Sequence, residues 1–199
     1  MTNPKNEPYC CPTNQCFVPN PPTTHIQVII KMNLSYQTKR LFVWQVESVD
    51  VEETFLSSIP RVLRPRVVSA LPPYFSDINT SEDARTWISQ VLNESMLLAV
   101  RLEKSSELVG FILLYPDGEQ NLRIGYLLAE DCWGQGFAGE MLTSLITVLA
   151  ECGDWSRLVG GVEKDNIPSI RLLEKLGFVL TEETPDGVKI YSHDLKDSK

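Results

Sequence analysis

The chain has 199 residues, 43% of them hydrophobic, and a formal net charge of −8 at pH 7. That length and apolar content suit one domain with a core of its own, and no apolar run approaches the roughly 18 residues of a membrane span. The acidic balance argues against a nucleic-acid or anionic-membrane surface as partner and favours cationic molecules.

The first stretch, NPKNEPYCCPTNQCFVPNPPTT, is rich in Pro, Asn and Thr and has no periodicity, which reads as loop or disorder. The short apolar run HIQVIIKM follows. It either pairs as an extra strand or precedes a natural start at Met32. No positive, apolar, small-residue order marks a signal peptide. Residues 1–33 are therefore expected to be an irregular extension, and residues 34–199 a single domain. Cys10, Cys11 and Cys16 cluster in the extension, and Cys132 and Cys152 lie far downstream. None has the paired CxxC spacing of a zinc site, so no metal is expected; reduced thiols in the cytoplasm are. Cys132 reads as a structural cysteine or as a reactive one.

TKRLFVWQV, at 38–46, has the aromatic and branched content of a strand. The next stretch, VDVEETFLSSIPRVLRPRVVSALPPYF, shows helical spacing that Pro60, Pro65, Pro72 and Pro73 should cut into short pieces. Thr80 or Ser81 then caps a helix with Glu82 and Asp83 in its first turn and Trp87, Ile88, Val91 and Leu92 on its buried face. MLLAVRLE and ELVGFILLY are two strands of a hairpin, and Pro116, Asp117 and Gly118 form a turn. LRIGYLLAE is a further strand. RLVGGVE is the next, after an intervening helix, and Asp165 or Asn166 caps the helix that Gly177 ends in a left-handed turn. GFVLTEE and VKIYSHDL close the chain as a hairpin around Pro185, Asp186 and Gly187.

Between LRIGYLLAE and RLVGGVE lies the densest signal, DCWGQGFAGEML at 131–142. Gly134, Gly136, Ala138 and Gly139 crowd into a turn, and Ala138, Met141, Leu142, Leu145, Ile146 and Leu149 continue as one helical face. Strand, glycine-rich turn and helix form a layout for holding phosphate. Backbone N–H groups of the turn and of the first helical turn point outward together, and glycine lets the main chain approach the ligand. The plain alternative is a tight connection. Gly134, Gly136 and Gly139 also satisfy the GxGxxG spacing of dinucleotide sites, but the acidic partner of that pattern is missing about twenty residues on, where Glu163 is the nearest. The Walker form lacks its Lys-Ser/Thr.

GYLLAEDCWGQGFAGEML followed by DNIPSIRLLEKLGF resembles the GNAT superfamily of N-acetyltransferases, and most of all its RimJ/RimL branch, which acetylates protein N-terminal amines and has many small-amine relatives. The resemblance is densest over 125–178. It implies an α+β fold: a mixed, mostly antiparallel sheet of about seven strands with helices on both faces. It implies acetyl-CoA as acetyl donor, held by the main chain of Gln135, Gly136, Phe137, Ala138 and Gly139, with Trp133 and Gly134 at the entry. Leu127, Leu128 and Ala129 would border the thioester arm, in a gap where the strand bulges and splays from the next; a backbone N–H near Leu127 or Leu128 would meet the oxyanion. The acceptor would be a primary amine, on a peptide N-terminus or a small cation, and the 49–75 stretch would form one wall of its cleft. Phe55, Tyr74 and Phe75 line that cleft or pack in the core. The protein is expected to be a monomer or homodimer.

Two departures bear on catalysis. Many members carry a Glu two residues before the Gly-Tyr pair; here Arg123 stands there and cannot accept a proton. Glu119, Glu130, Tyr126 and a water chain remain as possible bases. The usual Tyr proton donor is replaced by Leu173, and the branch offers instead Ser169, with Asn166 on the pantetheine arm. Both residues are equally ordinary helix-start residues. A non-catalytic acyl-CoA sensor and a dinucleotide-binding enzyme are the readings from other classes.

Overall fold

Alternation along the strands builds the sheet. In β2, Leu41–Val46, Leu41 and Val43 are fully buried on one face while Phe42 and Trp44 are half-buried on the other. The computed structural model describes residues 34–69, 71–117 and 120–196. The cysteine cluster, His25, HIQVIIKM, Met32 and Glu119 lie outside the described residues.

The remaining strands are β1 (Ser35–Gln37), β3 (Met96–Leu102), β4 (Leu108–Asp117), β5 (Asn121–Leu128), β6 (Arg157–Glu163), β7 (Val179–Glu183) and β8 (Val188–Asp194). They pair in the order β1-β2-β3-β4-β5-β6-β8-β7, and only β5 and β6 run parallel. This is the expected mixed, mostly antiparallel sheet with eight strands among the described residues, against about seven expected. The extra strand is β1. Thr38 hydrogen-bonds Leu41 through N–H to carbonyl at 2.8 Å and through its hydroxyl oxygen to the Leu41 N–H at 2.9 Å. That side-chain turn makes residues 38–40 a hairpin corner instead of the start of a strand.

Among the described residues five α-helices complete the fold: α1 (Glu53–Val62), α2 (Pro65–Val68), α3 (Ser81–Glu94), α4 (Phe137–Cys152) and α5 (Ile167–Lys175). A row of rings docks α1 and α3 on one face. Trp44 meets Phe55 at 5.7 Å, Phe55 meets Phe111 at 6.5 Å, Phe111 meets Trp87 at 5.0 Å, and Trp87 meets Phe75 at 5.6 Å. Phe55 and Phe75 thus pack in this core, while Tyr74 donates its hydroxyl to Glu94 at 3.1 Å. On the opposite face α4 lies over β1 and β2, and the Tyr36 hydroxyl donates to the Met141 carbonyl at 2.9 Å.

Two prolines sit differently from expectation. Pro60 does not cut α1, which runs through it for ten residues. An interior proline costs about 3 kcal/mol, offset here by full burial of Leu56, Ile59 and Val62. Pro116 lies in β4, not in a turn, and pairs with Leu122. β3 pairs with β4 only as far as Leu114, so the missing N–H of Pro116 falls where no neighbour needs it. Thr80 caps α3 with a full capping box to Asp83, Asn166 caps α5, and Gly177 is left-handed at φ 83°, as the residue types predict.

Candidate active site

β5 and β6 share one end and then part. Their parallel ladder comprises Asn121 with Arg157, Leu122 with Leu158 and Arg123 with Val159, and stops there. β5 continues to Leu128 on its other partner, β4, in unbroken register from Asp117–Asn121 to Gly110–Leu128. A gap therefore opens beside Gly125–Leu128 because the two strands diverge. The expected bulge is absent from the β4–β5 register.

The ladder decides which main-chain groups face that gap. Ala129 N–H bonds the Val109 carbonyl at 2.8 Å, so the odd-numbered residues of this strand direct their N–H groups to β4. Leu127 and Ala129 are thereby turned toward β4, and the N–H groups of Tyr126 and Leu128 toward the gap. The Leu128 carbonyl, on the same edge, accepts the Trp133 indole N–H at 2.8 Å. Trp133 thus closes the strand's end instead of standing free. Gly110, opposite Leu128, permits the close approach of β4: a Cβ there would lie 2.3 Å from the Leu127 carbonyl oxygen. A glycine inside the apolar run LVGFILLY was the sequence signal for this position.

The chain leaves β5 through a 3-10 turn, Glu130–Cys132, and enters α4 through Trp133–Gly136. Gly134 and Gly136 are both left-handed, at φ 71° and 79°. Gly136 is the N-cap, and no side chain caps the helix. The N–H groups of Gly136, Phe137, Ala138 and Gly139 precede the first intrahelical bond, from Glu140 N–H to the Gly136 carbonyl at 3.1 Å. Glycines 134 and 136 are thus there for backbone conformation. Gly139 is helical, and a Cβ on it would meet Leu172 of α5 at an ordinary 3.6 Å. Phe137 and Ala138 bury their side chains and offer only main chain to the turn's surface.

Side chains that the sequence reading did not single out hold this turn. Arg40 donates through Nη1 to the Gln135 carbonyl at 2.9 Å and through Nε to Glu140 Oε2 at 2.6 Å, and its guanidinium covers the Phe137 ring at 4.3 Å. From α1 and α2, Arg61 pairs with Asp131 and Glu107 at 2.7 Å each, and Arg66 pairs with Glu130 and lies 5.4 Å from the Trp133 ring centroid. Desolvation lowers the Arg61 pKa, but bonding to Asp131 and the nearby acids more than offset it and raise it overall. Lone arginines 64 to 100 residues from the turn carry no local signal, so only the fold could bring them there.

The ionisable candidates sort themselves by partner. Arg123 donates to Asp117 at 2.5 Å, a cation committed to a carboxylate. Glu130 is held in its pair with Arg66. Tyr126 is buried, on the α4 face. Burial first, and the adjacent Asp131 carboxylate second, push the Cys132 thiol up to about 11, so it stays protonated at neutral pH and reads as structural. Asn166 and Ser169 are both fully buried at the start of α5, where Asn166 Oδ1 accepts the Ser169 N–H at 3.2 Å. Among the described residues no group of three His, Cys, Asp or Glu could hold a metal, and no helix is long and apolar enough to cross a membrane.

The sequence profile of the acetyltransferase (GNAT) domain matches residues 40–179. Over 108 residues the chain is 30% identical to an uncharacterised N-acetyltransferase, p20, of Bacillus licheniformis, a match covering 52% of this chain and 61% of that protein. The chain spans about six tenths of the length of the curated relatives it matches. Two solved structures share the fold at low identity. A GNAT-family acetyltransferase of Bacillus anthracis superposes with a TM-score of 0.68 at 19% identity, covering 82% of this chain and 100% of that one. The ribosomal-protein-S5-alanine acetyltransferase of Vibrio fischeri gives 0.66 at 16% identity, covering 84% and 100%.

Proposed function

The chain belongs to the GNAT acetyltransferase family, and on that premise we propose that it is an acetyl-CoA-dependent N-acetyltransferase that acts on a primary amine. The observation that carries this reading is the gap between β5 and β6 ending at a helix N-terminus that no side chain caps. The two features fit the two ends of the donor. The turn from Gly134 to Gly139 offers main-chain N–H groups and the positive end of α4 to a pyrophosphate. The gap offers strand-edge N–H groups to the extended arm.

Acetyl-CoA supplies the thioester. The Leu128 N–H, held by the ladder and facing the gap, is our assignment for the oxyanion donor, a preorganised contact of the kind worth about 2.7–4 kcal/mol. Ser169 is assigned as proton donor to the departing thiolate, with Asn166 positioning it through the 3.2 Å bond to its N–H. Arg123 takes no proton. The acceptor we favour is therefore an amine already partly neutral at working pH, and a peptide N-terminus, with a pKa of about 7.7–8.0, fits that better than a polyamine. The Vibrio fischeri protein, named for acetylating a ribosomal protein, lends the RimJ/RimL reading its support.

A second reading, a non-catalytic acyl-CoA-binding module, is favoured by one observation: Arg123 is paired with Asp117 where many relatives hold the base. Thiol release from acetyl-CoA, measured with short peptides, polyamines, aminoglycosides and amino acids, separates the two. We expect turnover with peptides bearing a free N-terminus. Binding of acetyl-CoA without thiol release from any amine would establish the second reading, and no binding would remove both.

A further inference from the structure

Glu140 is out of place. It sits in the first turn of α4, one to four residues and about 1.5–6 Å of helix rise beyond the Gly136 to Gly139 N–H groups that face the proposed phosphates. A carboxylate there suits the helix dipole but repels any anion the turn receives. Burial works against its charge, but hydrogen bonds from Thr38 and Arg40 together with the Arg40 cation outweigh that and hold its pKa below the ordinary range, so it is charged at neutral pH.

Every partner of that carboxylate comes from the corner between β1 and β2. Thr38 Oγ1 donates to Oε1 at 2.5 Å, Arg40 N–H donates to Oε1 at 2.8 Å, and Arg40 Nε donates to Oε2 at 2.6 Å. The same guanidinium holds the Gln135 carbonyl and stacks on Phe137. Its Nη2 lies at the turn, 3.6 Å from where a Cβ on Gly136 would stand. One side chain therefore touches the residues before and after the left-handed Gly136 and neutralises the one acid in the helix's first turn.

We propose that Arg40 is a positioning residue of the cofactor site: it holds the glycine turn in shape through Gln135 and Phe137, and it screens Glu140 from the phosphates of the donor. This rests on the acetyl-CoA reading above. It makes a signed prediction that a mere brace of the fold would not. In Arg40→Ala the carboxylate is left bare, and acetyl-CoA binding should weaken by about tenfold or more at low salt. Adding Glu140→Gln to Arg40→Ala removes the exposed charge and should recover part of that loss. Glu140→Gln alone keeps the oxygen that accepts from Thr38 and from the Arg40 N–H, and should bind at least as tightly as the unaltered protein.

The test is calorimetric titration of acetyl-CoA into the full chain and these three variants, with KM for acetyl-CoA and for the acceptor measured separately. We expect the effect in acetyl-CoA binding and its KM, with acceptor KM unchanged. Should Arg40→Ala fail to fold, Glu140→Gln still decides: binding tenfold weaker than in the unaltered protein overturns the proposal. So does an Arg40→Ala protein that binds normally, or a double variant no tighter than Arg40→Ala. Gly136→Val serves as control. If it abolishes binding while Arg40→Ala leaves it intact, the inference fails alone; if the unaltered protein does not bind acetyl-CoA, the functional reading fails first.

Discussion

Two helices begin where the two gap-lining strands end, and they begin in opposite ways. α4, after β5, is opened by the left-handed Gly136 with no side-chain cap. α5, after β6, is closed by Asn166, whose side chain takes the Ser169 N–H, with both residues fully buried. A cap satisfies one of the four free N–H groups of a helix start. Its presence at α5 makes that terminus part of the interior. Its absence at α4, with glycine in place of a side chain, leaves main-chain donors uncapped at the helix start. The difference separates a terminus whose main-chain donor is taken by its own cap from one whose donors are left uncapped, although both are sequence stretches of loop followed by an amphipathic helix.

The sharpest way to break this contrast is Gly136→Val. Valine is strained at φ 79°, so the turn should lose its shape while the core of α4 stays packed. We expect acetyl-CoA affinity to fall by orders of magnitude with little change in melting temperature; calorimetry showing unchanged binding would move the anion site elsewhere.

At the other terminus the variants should split. Asn166→Ala should cost about 1 kcal/mol or more in stability as a lost cap, read by chemical denaturation. Ser169→Ala should lower kcat by about 10²-fold or more if the hydroxyl protonates the leaving thiolate, with acetyl-CoA affinity nearly unchanged. Full turnover in a folded Ser169→Ala protein would leave α5 with a purely structural start.

A pH effect distinguishes the turn that leads into α4. Folding favours the protonated Cys132 thiol, because its pKa rises from 9.0 to about 11. Its contribution to stability is therefore complete below 9.0 and is lost as pH rises toward about 11. Melting curves should show a smaller alkaline loss in Cys132→Ala than in the unaltered protein. An equal loss in both would assign the effect to other groups.

The smallest effect is expected at Gly139→Ala. Its φ is not left-handed, and the added methyl would meet Leu172 at 3.6 Å, an ordinary contact. Affinity and stability should both stay near their original values. A large loss would mean that the helix start packs more tightly against α5 than this spacing allows.

How much of this was legible beforehand follows from the range of each interaction. The strands showed in their alternating and branched residues. The caps at Thr80 or Ser81 and at Asp165 or Asn166, the left-handed Gly177 and the turns at Gly134, Gly136 and Gly187 followed from local backbone preference, which a few neighbouring residues determine. The glycine turn was legible for the same reason. Pro60 and Pro116 were not: each is a breaker by residue type, yet each is accommodated by tertiary contact, the packing of the buried stripe of α1 in one case and the early end of β3 in the other.

Within the site the division is the same. The residue types placed the turn, and the family resemblance implied that Arg123 and Leu173 stand where many members keep a base and an acid, because both are matters of order along the chain. The tertiary structure alone decided that β5 and β6 part after Arg123, that alternation turns the Leu128 N–H and not the Leu127 N–H to the gap, and that Arg40, Arg61 and Arg66 converge on a turn 64 to 100 residues away. Conformational preference acts over a few bonds and is written locally. Strand divergence and charge pairing depend on which surfaces meet, and only the packed chain brings those surfaces together.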